Sequence, residues 1–174
     1  LLLHRYSGQD DILVASPTSG RTHQAFNEVV GYFVNPVLMR ANLFNNPSVR
    51  DVIRQNRINV LEALQYQHYP LQKLMDDIGH RAGDSGLFQT MFSYQSLAKK
   101  SELDILVTGD NSAYTASCMG FDIRQKKVDT GVCEVDTWMS ITELEDGSMA
   151  ADIVYSTSLF SEPSIRDFSL HYLE

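Results

Sequence analysis

Hydrophobic positions fall into short blocks whose period changes along the chain. Asp11-Ile12-Leu13-Val14-Ala15-Ser16 is a compact apolar run between polar turns, the pattern of a buried strand. Ahead of it, Leu1-Leu2-Leu3-His4-Arg5-Tyr6-Ser7-Gly8 reads as the last turn of a helix with glycine as its C-cap. One turn does not stand alone, so the first turns of that helix are expected upstream. Pro17-Thr18-Ser19-Gly20-Arg21 ends the strand, Gln24 to Val30 predicts a short helix stopped by Gly31, and Tyr32 to Leu43 predicts a second strand. Pro36 has no N–H to give to a ladder, so it belongs at an edge or a bulge.

The period then lengthens. Asn46 as N-cap and Pro47 at the first helical position predict a long helix over 47–66, with Val49, Val52, Ile53, Val60, Ala63 and Leu64 at helical spacing. Pro70 opens a second helix through Leu71, Leu74, Met75 and Ile78, closed by Gly79. Gly83 to Gly86 is a loop, and Leu87 to Tyr94 an aromatic-rich strand. Residues 95–116 have no firm period, and Met119 to Lys127 predicts an irregular strand. Val135, Thr137, Met139 and Ile141 then alternate with Asp136, Trp138, Ser140 and Thr142, Asp146-Gly147 signals a hairpin, and Met149 to Ser156 is the returning strand. Ser161, Pro163, Ile165, Phe168 and Leu173 open a last helix with no stop signal before Glu174. The pattern is α/β (α+β): a two-layer sandwich of mixed sheet backed by helices, with the look of a piece of something larger.

Composition narrows the partners. A length of 174 residues and 43% hydrophobic positions suffice for a real core and argue against disorder. The net charge of −8 comes without any Lys/Arg block, which disfavours nucleic acid. No apolar run approaches the ~20 residues that span a bilayer. Cys118 and Cys133 are too few for a disulfide framework and are expected as buried thiols in a reducing cytoplasm.

Local chemistry is sparse. Gly83-Asp84-Ser85-Gly86 copies part of a protease nucleophile motif, but two helices precede it where an all-β double barrel would be required, and it reads as a solvated turn. His4, His23, His68, His80 and His171 form no ligand spacing, so no metal site is expected. Neither a phosphate loop nor a dinucleotide turn occurs. Glu143, Glu145 and Asp146 sit at the expected hairpin tip. Asn35, inside an otherwise apolar strand, must find hydrogen-bond partners or face a cleft, and Pro36 beside it favours a bulge that would either satisfy the amide locally or turn it towards substrate.

In their order these segments resemble the C-terminal half of a condensation domain of nonribosomal peptide synthetases, in the chloramphenicol-acetyltransferase-like superfamily. Gly8-Gln9-Asp10-Asp11-Ile12-Leu13-Val14, Gly20-Arg21 and Val30-Gly31-Tyr32-Phe33-Val34-Asn35-Pro36 are similar to GqdDivvG, aGR and VGxFVNT/P. Gln67, Tyr69-Pro70 and Leu74 resemble HQDxPFExLV, Leu87-Phe88-Gln89-Thr90-Met91-Phe92 resembles PLFQVMF, 135–143 resembles FDLTLTLTE, and Tyr155-Ser156-Thr157-Ser158-Leu159-Phe160 resembles YNTDLF. Departures are Tyr66 and His68 for the His and Asp of HQD, His80 to Gly86 for RDxSxxP, and Thr137 for Leu. FVNP in place of FVNT is similar to a form associated with polyketide–peptide hybrid lines.

The resemblance implies one lobe of a two-lobed fold with the active site in a tunnel between lobes. The catalytic HHxxxDG motif belongs to the other lobe and is not in this sequence, so no catalytic residue is carried over. Asn35, with Pro36 and Tyr32, is implied to line the substrate tunnel; Arg21, Asp136 and Gln89 are implied to be structural or at the lobe interface. The implied reaction is amide formation between thioesters delivered on the phosphopantetheine of carrier proteins, with no cofactor bound directly and with the N-terminal lobe as partner. Ester formation with an alcohol acceptor, or a non-catalytic lobe that binds a carrier, are the other readings. The polar stretch 96–130 is expected to cross over the missing lobe, or to exchange with another copy in a domain-swapped homo-oligomer. Alone, the chain is expected to be inactive.

Overall fold

The structure, a computed structural model, describes residues 1–80, 86–96, 115–118, 120–124, 126, 131–144 and 146–174, with the side chains of Ala116 and Cys118 outside that description. The chain divides into two compact units, Leu1–Phe92 with Thr157–Glu174, and Ser93–Ser156.

The first unit begins with α1 (Leu2–Ser7), closed as expected by Gly8 in the left-handed region, φ 69°. Strand β1 (Asp11–Thr18) pairs antiparallel with β2 (Asn35–Asn42) in an unbroken register from Asp11 opposite Asn42 to Thr18 opposite Asn35. On its other side β1 meets β3 (Thr90–Ser96) in parallel at Ala15 and Met91, so the sheet is mixed and β2 is an edge strand.

The edge reading of Pro36 holds, but there is no bulge. The ladder phase explains this. Leu43 N–H donates to Asp10 C=O at 2.7 Å, and hydrogen-bonded pairs alternate from there, which puts Pro36 opposite Pro17 in a pair that exchanges no hydrogen bonds. Neither proline removes a bond between β1 and β2.

Helix α2 (Val49–Gln65) packs on β2, and α3 (Leu71–Asp77) follows. The expected cap at Asn46 is displaced. Asn45 and Asn46 have φ of 65° and 51°, outside the extended conformation a capping residue needs, and Ser48 caps instead. Its hydroxyl accepts from Asp51 N–H at 3.2 Å and donates to the Asp51 carboxylate at 2.6 Å. Beyond α3, Gly79 N–H donates to Asp76 C=O and His80 N–H to Met75 C=O, a Schellman closure. The last helix, α4 (Glu162–Leu173), starts at Ser161 as anticipated and meets α1 through Tyr6, whose ring packs edge-on against Phe168 and whose hydroxyl pairs with His171 Nδ1 at 2.7 Å. Ile12, Leu43 and Val52 form the buried cluster, flanked by Leu3, Val14 and Ala41.

In the second unit the remainder of β3 lies beside β6 (Thr137–Glu143), which pairs antiparallel with β7 (Met149–Tyr155). The turn joining them is the one expected at Asp146-Gly147. Gly147 has φ 80°, and Asp146 accepts from Ser148 N–H at 2.9 Å and from its hydroxyl at 2.6 Å. Strands β4 (Thr115–Cys118) and β5 (Phe121–Arg124) pair only with each other in the described sheets. The irregular strand expected over 119–127 is therefore shorter. Most of the stretch 96–130, and of the turn at Gly83 to Gly86, lies outside the described residues.

Candidate functional site

The residues singled out by sequence begin where β1 ends. At Gly20 the chain has φ 63°, and a Cβ there would collide with the Phe33 carbonyl oxygen, so only glycine allows this crossing. Arg21 follows. Its guanidinium donates to the carbonyls of Phe26, of Val29 at 2.9 Å and of Gly31 at 3.5 Å, and lies 4.4 Å over the Phe33 ring. Phe26 C=O, which a helix through Val30 would offer to Val30 N–H, accepts instead from Val29 N–H and from Arg21. The helix expected over Gln24–Val30 is accordingly only a single 3₁₀ turn, Gln24–Phe26, and Tyr32 to Val34 lie in a loop ahead of β2. The clamped loop leaves Val30 fully exposed and Tyr32 87% exposed.

Asn35 opens β2, half-buried, with its amide wholly engaged by backbone. Nδ2 donates to Gln67 C=O at 2.9 Å and Tyr69 C=O at 2.8 Å, while Oδ1 accepts from Leu71 N–H at 3.2 Å. Leu71 is the first residue of α3, and the Pro70 before it offers no side-chain cap. Asn35 thus caps α3 from a distance and fixes the turn between α2 and α3. It joins two motifs, 30–36 and 67–74, that the sequence presents far apart. Within that turn Gln67 and Tyr69 are half-buried, whereas Tyr66 and His68 point outward. Tyr69 donates its phenol to Asp77, and that bond holds its pKa above the ordinary value.

Pro36 is half-buried beside Asn35, so the structure brings Asn35 and Pro36 together with the 67–71 turn, while Arg21 and Tyr32 share the loop leading into them. Gln89 Nε2 donates to Gly86 C=O close by in the chain at 2.7 Å, and the Asp136 backbone carbonyl accepts from the distant Ser156 N–H at 3.0 Å.

An open groove of about 790 Å³ runs between β2 and α2, lined by Leu38, Arg40, Phe44, Asn59 and Tyr66 among others, but not by Tyr32, Asn35 or Pro36. Two of its polar residues are already engaged: Asn59 Nδ2 donates to Arg40 C=O at 2.6 Å, and Arg40 makes a two-pronged pair with Asp11 at 2.7 and 2.6 Å. The Arg40 hydrogen bond holds the Asp11 carboxyl below its ordinary pKa.

Sequence reasoning missed a polar seam in the second unit. Trp138 Nε1 donates to Ser93 Oγ at 3.2 Å, Ser93 donates to Ser140 Oγ at 3.0 Å, and Ser93 is buried. Only the alternation in 135–142 hinted that Trp138 and Ser140 share a face. Among the described residues no group of His, Cys, Asp and Glu could hold a metal ion, and no helix is long and apolar enough to cross a membrane. Cys133 is half-buried, with its thiol on the Val135 carbonyl.

The chain is similar to known proteins along its whole length. It is 30% identical over 177 residues to tyrocidine synthase 3 of Brevibacillus parabrevis, covering 100% of this chain and 2% of that protein. It is 31% identical over 173 residues to chondramide synthase cmdD of Chondromyces crocatus, covering 98% of this chain and 4% of that protein. Among solved structures, holo-AB3403, a four-domain nonribosomal peptide synthetase bound to AMP and glycine, superimposes with a TM-score of 0.84 at 19% identity over 97% of this chain and 13% of its own. The starter condensation domain of the rhizomide synthetase RzmA gives 0.65 at 12% identity over 99% of this chain and 36% of its own. At these identities the structures speak for the fold alone: a mixed sheet with helices of the condensation-domain type. The chain spans a few per cent of the curated relatives it matches. Residues 1–174 match the condensation domain family throughout, and the chain belongs to that family.

Proposed function

We propose that this chain is the C-terminal lobe of a nonribosomal peptide synthetase condensation domain that forms amide bonds between carrier-bound thioesters. The observation that carries the reading is a family match along all 174 residues in a sequence that holds no HHxxxDG motif. The share of the solved starter condensation domain that it covers, 36%, supports a partial domain.

In the proposed reaction the acceptor amine, on the phosphopantetheine of one carrier, attacks the thioester carbonyl on another. The N–C bond forms, the C–S bond breaks, and the upstream thiol takes the proton that the amine loses. The lobe supplies no acid, base or nucleophile to this step. Its work is positioning. Asn35, Pro36 and Tyr32 form part of the tunnel wall; Asn35 acts by fixing the 67–71 turn, and the Arg21 clamp holds the loop that presents Tyr32. Arg21, Gln89 and Asp136 are structural. No cofactor is bound directly, and the setting is cytoplasmic, within a secondary-metabolite assembly line of the polyketide–peptide hybrid kind.

The test is condensation by this chain alone and by a complete domain that contains it. The complete domain is expected to join carrier-bound acyl and aminoacyl groups, and the isolated chain to do nothing above the buffer rate. Preference for an alcohol over an amine acceptor would replace amide with ester formation, and carrier binding without turnover by the complete domain would leave a non-catalytic lobe.

A further inference from the structure

Strand β2 ends the described sheet, so one row of its backbone groups faces away from β1. The ladder phase says which. Leu43 N–H donates to Asp10 C=O, so Val37, Met39 and Ala41 turn their N–H and C=O towards β1, while Pro36, Leu38, Arg40 and Asn42 turn theirs outward. That outer edge borders the groove between β2 and α2, whose lining includes Leu38, Arg40 and Asn42. A bare edge of this kind is a template for another strand. Room is not what keeps one out, because the groove is open and about 790 Å³ in volume.

The bonding pattern does. A strand laid against this edge would use the N–H and the C=O of each outward residue in turn. Pro36 has no N–H to give. The Arg40 C=O already accepts from Asn59 Nδ2, which reaches across from α2 at 2.6 Å. Gln55, one turn earlier on the helix, donates Nε2 to Asn59 Oδ1 at 2.9 Å and so holds the Asn59 amide with its nitrogen towards the strand. Among the described residues Leu38 and Asn42 keep both groups, but a blocked position separates them, so no two successive outward residues are complete. The Arg40 side chain, tied back to Asp11, adds a charged residue to the same edge.

We propose that Asn59 guards this edge: together with Pro36 it closes β2 to any further strand, whether from the rest of the domain or from a second copy of the chain. Strand β2 then ends the sheet in the complete domain as well, and a strand-exchanged oligomer has to form elsewhere. The inference stands on the ladder phase and the Asn59 bond, and does not depend on the reaction proposed above.

The experiment uses a complete condensation domain containing this chain, as wild type, as Asn59→Ala and as Asn59→Ala/Pro36→Val, with melting curves to establish that each is folded. Amide hydrogen exchange is followed residue by residue, and self-association by sedimentation velocity at rising concentration. In the monomeric wild type the outward amides of Leu38, Arg40 and Asn42 should exchange about a hundredfold faster than the inward ones of Val37, Met39 and Ala41. The double variant should associate at a concentration about tenfold lower than the wild type, and its outward amides should become protected as it does. Asn59→Ala should fall between the two. Outward amides as slow as the inward ones in the wild-type monomer would overturn the proposal, because the edge would already be covered. So would a folded double variant that associates no more than wild type, or one that associates while those amides exchange as before. If the double variant does not fold, Asn59→Ala decides by the same readings.

Discussion

Each of the two units is stabilised internally by different physics. In the first, Ile12, Ala15, Val37, Leu43, Val52 and Met91 are buried, and helices cover strands in the ordinary way. In the second, Ile141 is the one buried hydrophobic among the described residues, and it shares the interior with Ser93 and Thr142. Strand neighbours there are joined by side-chain hydrogen bonds: Trp138 to Ser93 to Ser140 on one face, and Tyr94 to Glu143 at 2.7 Å. An apolar core tolerates approximate shapes and is felt as volume. A polar seam demands matched partners, so it fixes which residues face each other while adding less to stability.

The sharpest test of this contrast is Leu43→Ala in the first unit. It removes the most enclosed member of the Ile12–Leu43–Val52 cluster and should cost about 2–5 kcal/mol, read from urea unfolding. A cost below about 1 kcal/mol would mean that this cluster is not the core it looks like.

Asn35→Ala should come next. Two carbonyls and one N–H lose their partner, a loss of about 1–3 kcal/mol, and protection of the Leu71 amide against hydrogen exchange should fall. Asn35→Asp keeps the acceptor for Leu71 but sets a carboxylate against the Gln67 and Tyr69 carbonyls, so Leu71 should stay protected while stability drops. In a complete domain, turnover by Asn35→Ala should fall about tenfold to a thousandfold, the scale of lost positioning. An intact rate in whatever stays folded would leave Asn35 a structural residue only.

Ser93→Ala breaks the seam of the second unit and strands the Trp138 N–H, for an expected loss of about 1–2 kcal/mol. The change should be smaller than that of Leu43→Ala. If the two are equal, the distinction between the units fails.

The smallest effect is on pH dependence. The Tyr94 hydrogen bond holds the Glu143 carboxyl below its ordinary pKa, with Ser96 adding to it, and the same bond holds the Tyr94 phenol above its own. A lowered carboxyl adds stability above its unfolded pKa and loses it as pH falls through the folded one. A raised phenol adds stability below its unfolded pKa and loses it as pH rises through the folded one. The pair therefore contributes in the window between the ordinary carboxylate and phenol ranges. Melting temperatures of wild type and Tyr94→Phe should differ slightly at neutral pH and converge at both extremes.

Legibility followed the same division. The caps at Gly8, Gly79 and Ser161 and the turn at Asp146-Gly147 were readable because each is local, satisfied within a few residues of chain. The alternation of 135–142 and the apolar block at 11–16 announced strands because burial on one or both faces imposes their period. The extent of α2 was readable and its cap was not: Asn46-Pro47 and Ser48 are equally good capping sequences, and the left-handed turn at Asn45 and Asn46 decided between them. The site showed the same limit. Asn35 stood out as a polar residue needing partners, but the partners are backbone groups more than thirty positions away, which carry no side-chain signature.

Sequence alone determined the family, the mixed α/β class and most of the order of strands and helices, because periodicity, caps and turn residues act over short stretches and seven motifs in order are specific together. Tertiary structure decided the rest. It set Pro36 opposite Pro17 without loss of a ladder bond, since the ladder phase depends on where β1 begins to pair. It turned Gln24–Val30 from a helix into a clamped loop, since Val29 N–H and the Arg21 guanidinium take the Phe26 carbonyl that a helix would give to Val30 N–H. It brought the Asn35 amide to the start of α3 rather than into a bulge, and gave α2 a buried face and an exposed one that carries its arginines. Each of these depends on which of several competent partners reaches a group first in space, and only the folded chain settles that.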